Sequence, residues 1–335
     1  MSLSNFFKSS GSKETPNLTF IKLFYQNLDN FSRFKYFLFM KLSILIPNWN
    51  GKRHLEKCLL SIFSHPPSLD YEVIVYDNGS TDGSCEMVKK KFRKVKLIEG
   101  EKNKGFAFAV NRMIERAKGE YLGIVNSDIF YNRDPFTPII SFMEEKKEVG
   151  VVGPKLLKPE GGIHTTMGRH FPNIYSAFVE ITGIAPRLAS FFPFYRLSSF
   201  IEPPLSHLKE KYTGHVEASF MVVRRKVFEE FGGFDENFFA YYEDLDFQLR
   251  IRKKWKVYYM AGVEVYHVGG GSFPSRTKEA SRLYIRSFLY YFYKNRPYWE
   301  YRVLPFIYLL KGKKEVKECL RERFWIRQEK DLKNG

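Results

Sequence analysis

The chain has 335 residues, 44% of them apolar and 27% charged, which excludes wholesale disorder and leaves ample length for a buried core. On a soft prior of one domain per ~150 residues, this means one large domain with attachments, or two domains. The net charge of +17 is unevenly placed: residues 1–41 hold 6 basic and 2 acidic groups, residues 275–335 hold 16 and 7, and the long middle is nearly balanced.

Residues 1–40 mix Ser, Asn and Lys with phenylalanines at spacings compatible with an amphipathic helix, either packed on a domain or touching a membrane or partner. From residue 42 the pattern becomes regular. LSILIP (42–47) reads as a buried strand, HLEKCLLSIF (54–63) as a helix, EVIVYDNGS (72–80) as a strand and turn, and CEMVKKKFRK (85–94) as a basic helix. KLIEG (96–100) then reads as a short strand, FAFAVNRMIERAKG (106–119) as a helix and YLGIVNSD (121–128) as another buried strand. Strands alternating with helices predict right-handed β-α-β units around a parallel sheet. Such sheets bind ligands at the carboxyl ends of their strands, where Asn48, Asp77 and Asp128 fall.

The regularity then fades. GVVGPKLLKPEGG (150–162) reads as a strand and turn, and ASFMVVRRKVF (218–228) as a strand leading into a helix. Between them, the Phe- and Pro-rich stretch 191–205 reads as part of a long insertion. Residues 276–310 form a basic, Tyr-rich helical region, and 311–335 a charged helical tail.

Four stretches could carry chemistry. In VIVYDNGSTDGS (73–84), Asp77 just past a strand and the tight turn after it offer one carboxylate and free N–H groups to a nucleotide; a plain turn is the structural alternative. In YLGIVNSD, Asn126, Ser127 and Asp128 bring polar groups to the rim of a buried sheet, where a carboxylate can hold a hard divalent cation or cap the next helix. FGGFDENFFAYYEDLDFQLRIR (231–252) packs Glu243, Asp244 and Asp246 together behind bulky aromatics, which suits a general base of controlled exposure; Asp246 and Arg250 would pair one turn apart. In VEVYHVGGGS (263–272), His267 ends an alternating strand before a glycine run that allows close backbone approach.

Taken in order, SILIPNWNG, VYDNGSTDGS, NKGFAFAVN (103–111), VNSD, GGFDE, YYEDLD and the late histidine resemble the inverting family-two glycosyltransferases of GT-A fold, from residue 43 to 272. Within that family the chain looks like rhamnosyltransferase-like members that build cell-surface polysaccharides. The resemblance implies an α/β nucleotide-diphospho-sugar transferase with a mostly parallel central sheet flanked by helices and a helical C-terminal extension. The expected divisions are an extension at 1–40, a catalytic domain at 41–274 and a basic aromatic region at 275–335. Within the domain, residues 41–130 would bind the nucleotide sugar and 131–274 the acceptor. Residue by residue, it implies Asp77 at the donor base, Pro47, Asn48 and Asn50 lining the nucleotide pocket, and Asn103, Gly105 and Asn111 near ribose or diphosphate. Asp128 matches the last acid of the family's D-x-D motif, with His267 a further ligand for Mg²⁺ or Mn²⁺. The first acid of that motif is Asn126 here, one negative charge fewer. Asp244 becomes the candidate base, with Glu243 as neighbour or substitute.

A nucleotidyltransferase acting on sugar phosphates is the alternative enzyme, although no G-x-G-x-x-G or P-loop signature is present. A basic nucleic-acid-binding protein is the non-enzymatic one; the placement of charge at the ends and the lack of a zinc-finger or RNP-like motif argue against it. Cys58, Cys85 and Cys319 are odd in number and far apart, which fits a reducing compartment without a disulfide framework. No apolar run reaches the ~18–20 residues of a membrane span, and no secretory signal is evident, so a cytoplasmic protein is expected. Basic residues among Tyr284, Phe288, Tyr290, Tyr291, Phe292, Tyr293, Tyr298 and Trp299 further predict peripheral contact with anionic membrane, the unbroken run 290–293 covering more than one helical face.

Overall fold

The computed structural model describes residues 40–165, 167–168, 170–182, 204–269, 277–310, 312 and 317–319. The N-terminal extension before Met40, the stretch 191–203, Gly270 and Gly271, and most of the charged tail lie outside the described residues. The described residues, from Met40 onward, belong to one compact unit.

Strand β1 (Leu42–Asn48) is buried along its whole length, as expected of a central strand covered on both faces. Helix α1 (Lys52–Ser64) follows and turns Leu55, Cys58, Leu59 and Ile62 inward at helical spacing. Strand β2 (Tyr71–Asp77), helix α2 (Ser84–Lys91), strand β3 (Lys96–Glu99), helix α3 (Phe106–Ile114) and strand β4 (Tyr121–Val125) complete a parallel half in the order β3-β2-β1-β4. Pairing of β1 with β4 stops at Leu45, so the sheet accepts Pro47, which has no N–H to give.

Helix α3 ends earlier than its apolar pattern predicts. The Lys118 N–H donates to Glu72 Oε1 at 2.6 Å and the Gly119 N–H to Ser43 Oγ at 2.8 Å. A buried serine and carboxylate on neighbouring strands thus take backbone groups that a longer helix would have used.

The second half of the sheet is mixed. It holds β5 (Ile129–Phe130), β6 (Val149–Leu157), β8 (Lys211–Thr213), β10 (Phe220–Arg224) and β11 (Lys256–His267). β10 runs antiparallel to both β4 and β6, whereas β11 is parallel to β6. A separate ribbon pairs β7 (Met167–Gly168) with β9 (His215–Val216). Helix α4 (Phe136–Glu145) covers this half from one side, and α6 (Arg225–Phe231) and α7 (Glu243–Ile251) pack on the other. Helix α5 (Ile174–Thr182) and a 3₁₀ turn at Pro204–Leu208 lie in the span read as an insertion.

Helices α8 (Lys278–Asn295) and α9 (Tyr298–Leu310) pack with α5 around a third apolar cluster. This corrects the ground on which the membrane contact was expected. Tyr290, Tyr291 and Phe292 are buried, together with Phe288, against Phe238, Tyr242 and Leu245. An aromatic run covers several helical faces here because α8 is enclosed by protein on several sides. Among the described residues, no helix is long and apolar enough to cross a membrane.

Candidate functional site

The register of β1 and β2 sets Asn48 beside Asp77 at the strand ends. Asn48 Nδ2 donates to Asp77 Oδ2 at 2.8 Å, and the Ser80 N–H donates to Asp77 Oδ1 at 2.7 Å. Asp77 is buried, and both its oxygens are engaged in holding the turn. Asn50, in the left-handed region at φ 49°, receives the Thr81 N–H on Oδ1 and gives its own N–H to Ser80 Oγ, both at 2.8 Å. The Asn48 Oδ1 is buried and accepts no hydrogen bond from the protein.

Asn103 Oδ1 accepts the Gly105 N–H at 2.9 Å, and the following N–H, of Phe106, donates to Phe239 O at 2.8 Å. Gly105 has φ 95°, and a Cβ there would stand 2.4 Å from Phe239 O. Asn111 is spent elsewhere. Its amide nitrogen donates to Phe234 O at 2.8 Å and to Glu236 Oε1 at 2.9 Å, and its oxygen accepts the Phe234 N–H at 2.9 Å. These bonds make Asn111 a latch on the GGFDE loop.

At the next strand end, β5 pairs antiparallel with the end of β11, with His267 opposite Ile129. That register sets Asp128 Oδ1 3.3 Å from His267 Nε2, both side chains buried. Burial works to lower the His267 pKa, but hydrogen bonding and charge from Asp128, with the charge of Glu217, raise it above its ordinary value. His267 Nδ1 is buried with no protein partner, and the carbonyl of His267 lies 3.1 Å from His164 Nε2. Asn126 is half-buried, its backbone tied to Ser219 O and to the Ile129 N–H. A separation of 3.3 Å is close to the ~3 Å between neighbouring ligands on an octahedral ion with ~2.1 Å bonds, so Asp128 and His267 fit a divalent cation. Among the described residues no three His, Cys, Asp or Glu side chains form a metal cage, so most ligands would have to come from elsewhere.

Helix α7 opens on Tyr241 and Tyr242, both left-handed at φ 68° and 69°, which swing Glu243 and Asp244 into the first turn at the positive end of the helix. Asp244 Oδ2 accepts the Ala218 N–H at 3.0 Å and Oδ1 the Leu245 N–H at 2.8 Å. Desolvation nevertheless leaves its pKa raised. Burial, then the charge of Asp244 and of Glu217, pushes Glu243 well up, and Glu243 Oε2 is buried without a partner. Asp246 is different. It is fully buried and bound by Arg250 Nε at 3.1 Å, Lys294 Nζ at 2.9 Å and Asn295 Nδ2 at 3.0 Å. It anchors α7 to the end of α8 and has no room for chemistry.

The sequence reading missed Glu217. It lies between β9 and β10, and its neighbours tie the two acidic centres together: Ala218 N–H binds Asp244, and Ser219 O receives the Asn126 N–H at 2.8 Å. Part of Glu217 reaches the surface, yet protein surrounds it closely enough that burial raises its pKa; His267 lowers it, and Asp244 and Asp128 raise it further. The available signal was a lone acid in the otherwise apolar run just ahead of β10. Recognising it required knowing that β10 is antiparallel, so that its beginning lies beside the end of β4, Phe220 opposite Val125.

Residues 43–232 match the family model for glycosyl transferase family 2. An N-acetylglucosaminyl-diphospho-decaprenol L-rhamnosyltransferase of Mycobacterium tuberculosis is 27% identical over 239 residues, 68% of this chain and 75% of its own length. A poly(ribitol-phosphate) beta-glucosyltransferase of Bacillus spizizenii is 36% identical over 113 residues, 32% of this chain and 18% of that protein. Among solved structures, the mannosyltransferase PcManGT from Pyrobaculum calidifontis, in complex with GDP-Man and Mn2+, superposes with a TM-score of 0.52 at 17% identity, covering 84% of this chain and 74% of that one. A TarS structure from S. aureus gives 0.50 at 17% identity, covering 81% and 71%. At such identities the two structures bear on the fold, which is the GT-A glycosyltransferase fold. The family match spans β1 to α6 and so takes in the Asp77 turn, the Asp128 rim and Glu217. With more than half its length matched, the chain belongs to glycosyl transferase family 2.

Proposed function

We propose that the protein moves a sugar from a nucleoside-diphosphate sugar to a glycan or lipid-linked acceptor, with inversion, as a cytoplasmic enzyme of cell-surface polysaccharide synthesis. Rhamnose is the proposed sugar, supported by the named activity of the mycobacterial relative. The observation that most supports the reaction is the short 217–219 segment, whose backbone binds both the Asp244 carboxylate and the backbone of Asn126, two residues before Asp128. Charge leaving with the diphosphate and charge arriving with the acceptor proton are thereby handled by separate groups on one rim.

The nucleotide half is formed by Pro47, Asn48, Asn50 and the turn that Asp77 holds, with Asn103 and Gly105 closing its side. Asp128 and His267 would hold Mg²⁺ or Mn²⁺, which when bound neutralises charge growing on the departing diphosphate. Half-buried Asn126 adds no charge to that motif, and Glu217 lies close enough for its charge to act on His267 and Asp128. Asp244 takes the proton from the acceptor hydroxyl as its oxygen bonds to the anomeric carbon and the bond from that carbon to the diphosphate breaks. A raised pKa makes Asp244 a better proton acceptor than an ordinary aspartate.

The test is a panel of nucleotide sugars with and without Mg²⁺ or Mn²⁺, read by nucleoside-diphosphate release and thermal stabilisation. Release of pyrophosphate instead would favour the nucleotidyltransferase reading. In the same assay Asp128→Ala should abolish metal-dependent donor binding and leave the fold intact. Calorimetry finding its nucleoside-diphosphate affinity with metal unchanged would remove Asp128 from this role.

A further inference from the structure

Helix α9 is apolar on both sides. Tyr301, Leu304, Ile307 and Tyr308 are buried in the third cluster, as a helix covering that core requires. On the opposite side, Trp299, Val303 and Phe306, spaced about one turn apart, are 57%, 41% and 66% exposed, with Tyr298 beside them at 58%. Arg302 is exposed on that same face, between Trp299 and Phe306. A contiguous apolar face of this kind on a helix that already has its core contact needs a second partner.

From this face we infer a docking surface for anionic lipid, with α9 lying along the headgroup layer. Charge selects this occupant. Residues 277–310, which carry this face, hold 6 basic and 2 acidic groups, so a second copy would bring two basic regions together, whereas an anionic bilayer reverses the sign of that interaction. The side chains agree. Trp and Tyr settle at headgroup depth, Val and Phe reach the acyl boundary, and an Arg among them contacts phosphate. The surface is distinct from the buried run at 290–293, and it stands on the exposed face of α9 whatever the acceptor is.

The experiment uses the full chain with phosphatidylglycerol-containing and pure phosphatidylcholine vesicles at low and high salt. Wild-type protein should bind the anionic vesicles, more weakly as salt rises, and the double variant Trp299→Ser/Phe306→Ser should lose about tenfold or more of that affinity. Its transfer to a soluble acceptor without vesicles should equal wild type, which separates this inference from the assignment of the reaction. Should the double variant misfold, Trp299→Phe keeps an apolar ring, and brominated acyl chains should quench wild-type fluorescence but leave the fluorescence of this variant, which lacks the indole at headgroup depth, much less quenched. Equal vesicle binding by wild type and double variant would overturn the proposal. So would wild-type dimers in light scattering that dissociate on Trp299→Ser/Phe306→Ser, with no vesicle binding by either protein.

Discussion

Replacing Asp244 by Asn keeps the side-chain shape but removes the proton acceptor, so donor affinity should persist while transfer falls roughly 10²–10⁴-fold. Calorimetry for the donor and turnover for the acceptor separate the two effects; near-normal turnover would shift the base to Glu243 or Glu217. Because burial raises the Asp244 pKa, the acid limb of the wild-type pH–rate profile should lie above the ordinary carboxylate range. Glu243 makes an opposite demand on stability. Its folded pKa is raised well above its unfolded value, so its favourable contribution is full below the unfolded pKa of about 4.3 and is lost as pH rises through the folded value. Glu243→Gln should therefore raise Tm at neutral pH, and the gain should shrink toward pH ~4, measured by thermal unfolding across that range. A stabilised but slower enzyme is the expected phenotype, as when strain at an active site is relieved.

Among elements, the N-terminus of α3 and the loop before α7 are joined through Gly105 and Phe239. Gly105→Ala should force that loop aside, because the added carbon meets a backbone carbonyl and the backbone already has positive φ. Transfer should drop at least about tenfold with Asp77 and Asp128 untouched, and hydrogen exchange of the Phe239–Glu243 amides should rise. An unchanged exchange pattern would show that the two elements are not coupled. The strands β1, β2 and β4 were legible because each is an apolar run stopped by a polar residue, and the rim residues Asn48, Asp77 and Asp128 followed from the parallel arrangement. The end of α3 was not legible, since it depends on Ser43 and Glu72 reaching across from strands distant in sequence. Nor were the roles of Asn111 and Asp246, whose partners lie as far as 125 and 49 residues away, at Glu236 and Asn295. Local spacing shows Asp246 with Arg250, and that pair exists, but not Lys294.

For the whole molecule, the +17 charge correctly marked the C-terminal region as unusual but gave no sign that its aromatics form a core. Tyr290 OH donates to Asp235 at 2.9 Å, Ser287 Oγ to Ala240 O at 2.6 Å, and Lys294 reaches both Asp235 and Asp246. A chain ending at residue 275 should thus lose more than an appendage. It should show a lowered or absent cooperative thermal transition and no transfer even to a soluble acceptor, because the loop holding Glu243 and Asp244 loses its support. Calorimetry and a vesicle-free assay on the truncated chain are the measurements, and an active, cooperatively folding fragment would refute this dependence.

The buttressing of Asp246 by Lys294 and Asn295 also has a consequence in time. During synthesis on the ribosome the nucleotide half is completed first, and its parallel strands can pair before the rest of the chain exists. The residues that fix the catalytic turn are translated later, in α8. A nascent chain could thus acquire the donor-binding half early and still remain unable to transfer, its activity switched on only when the end of α8 has emerged and docked.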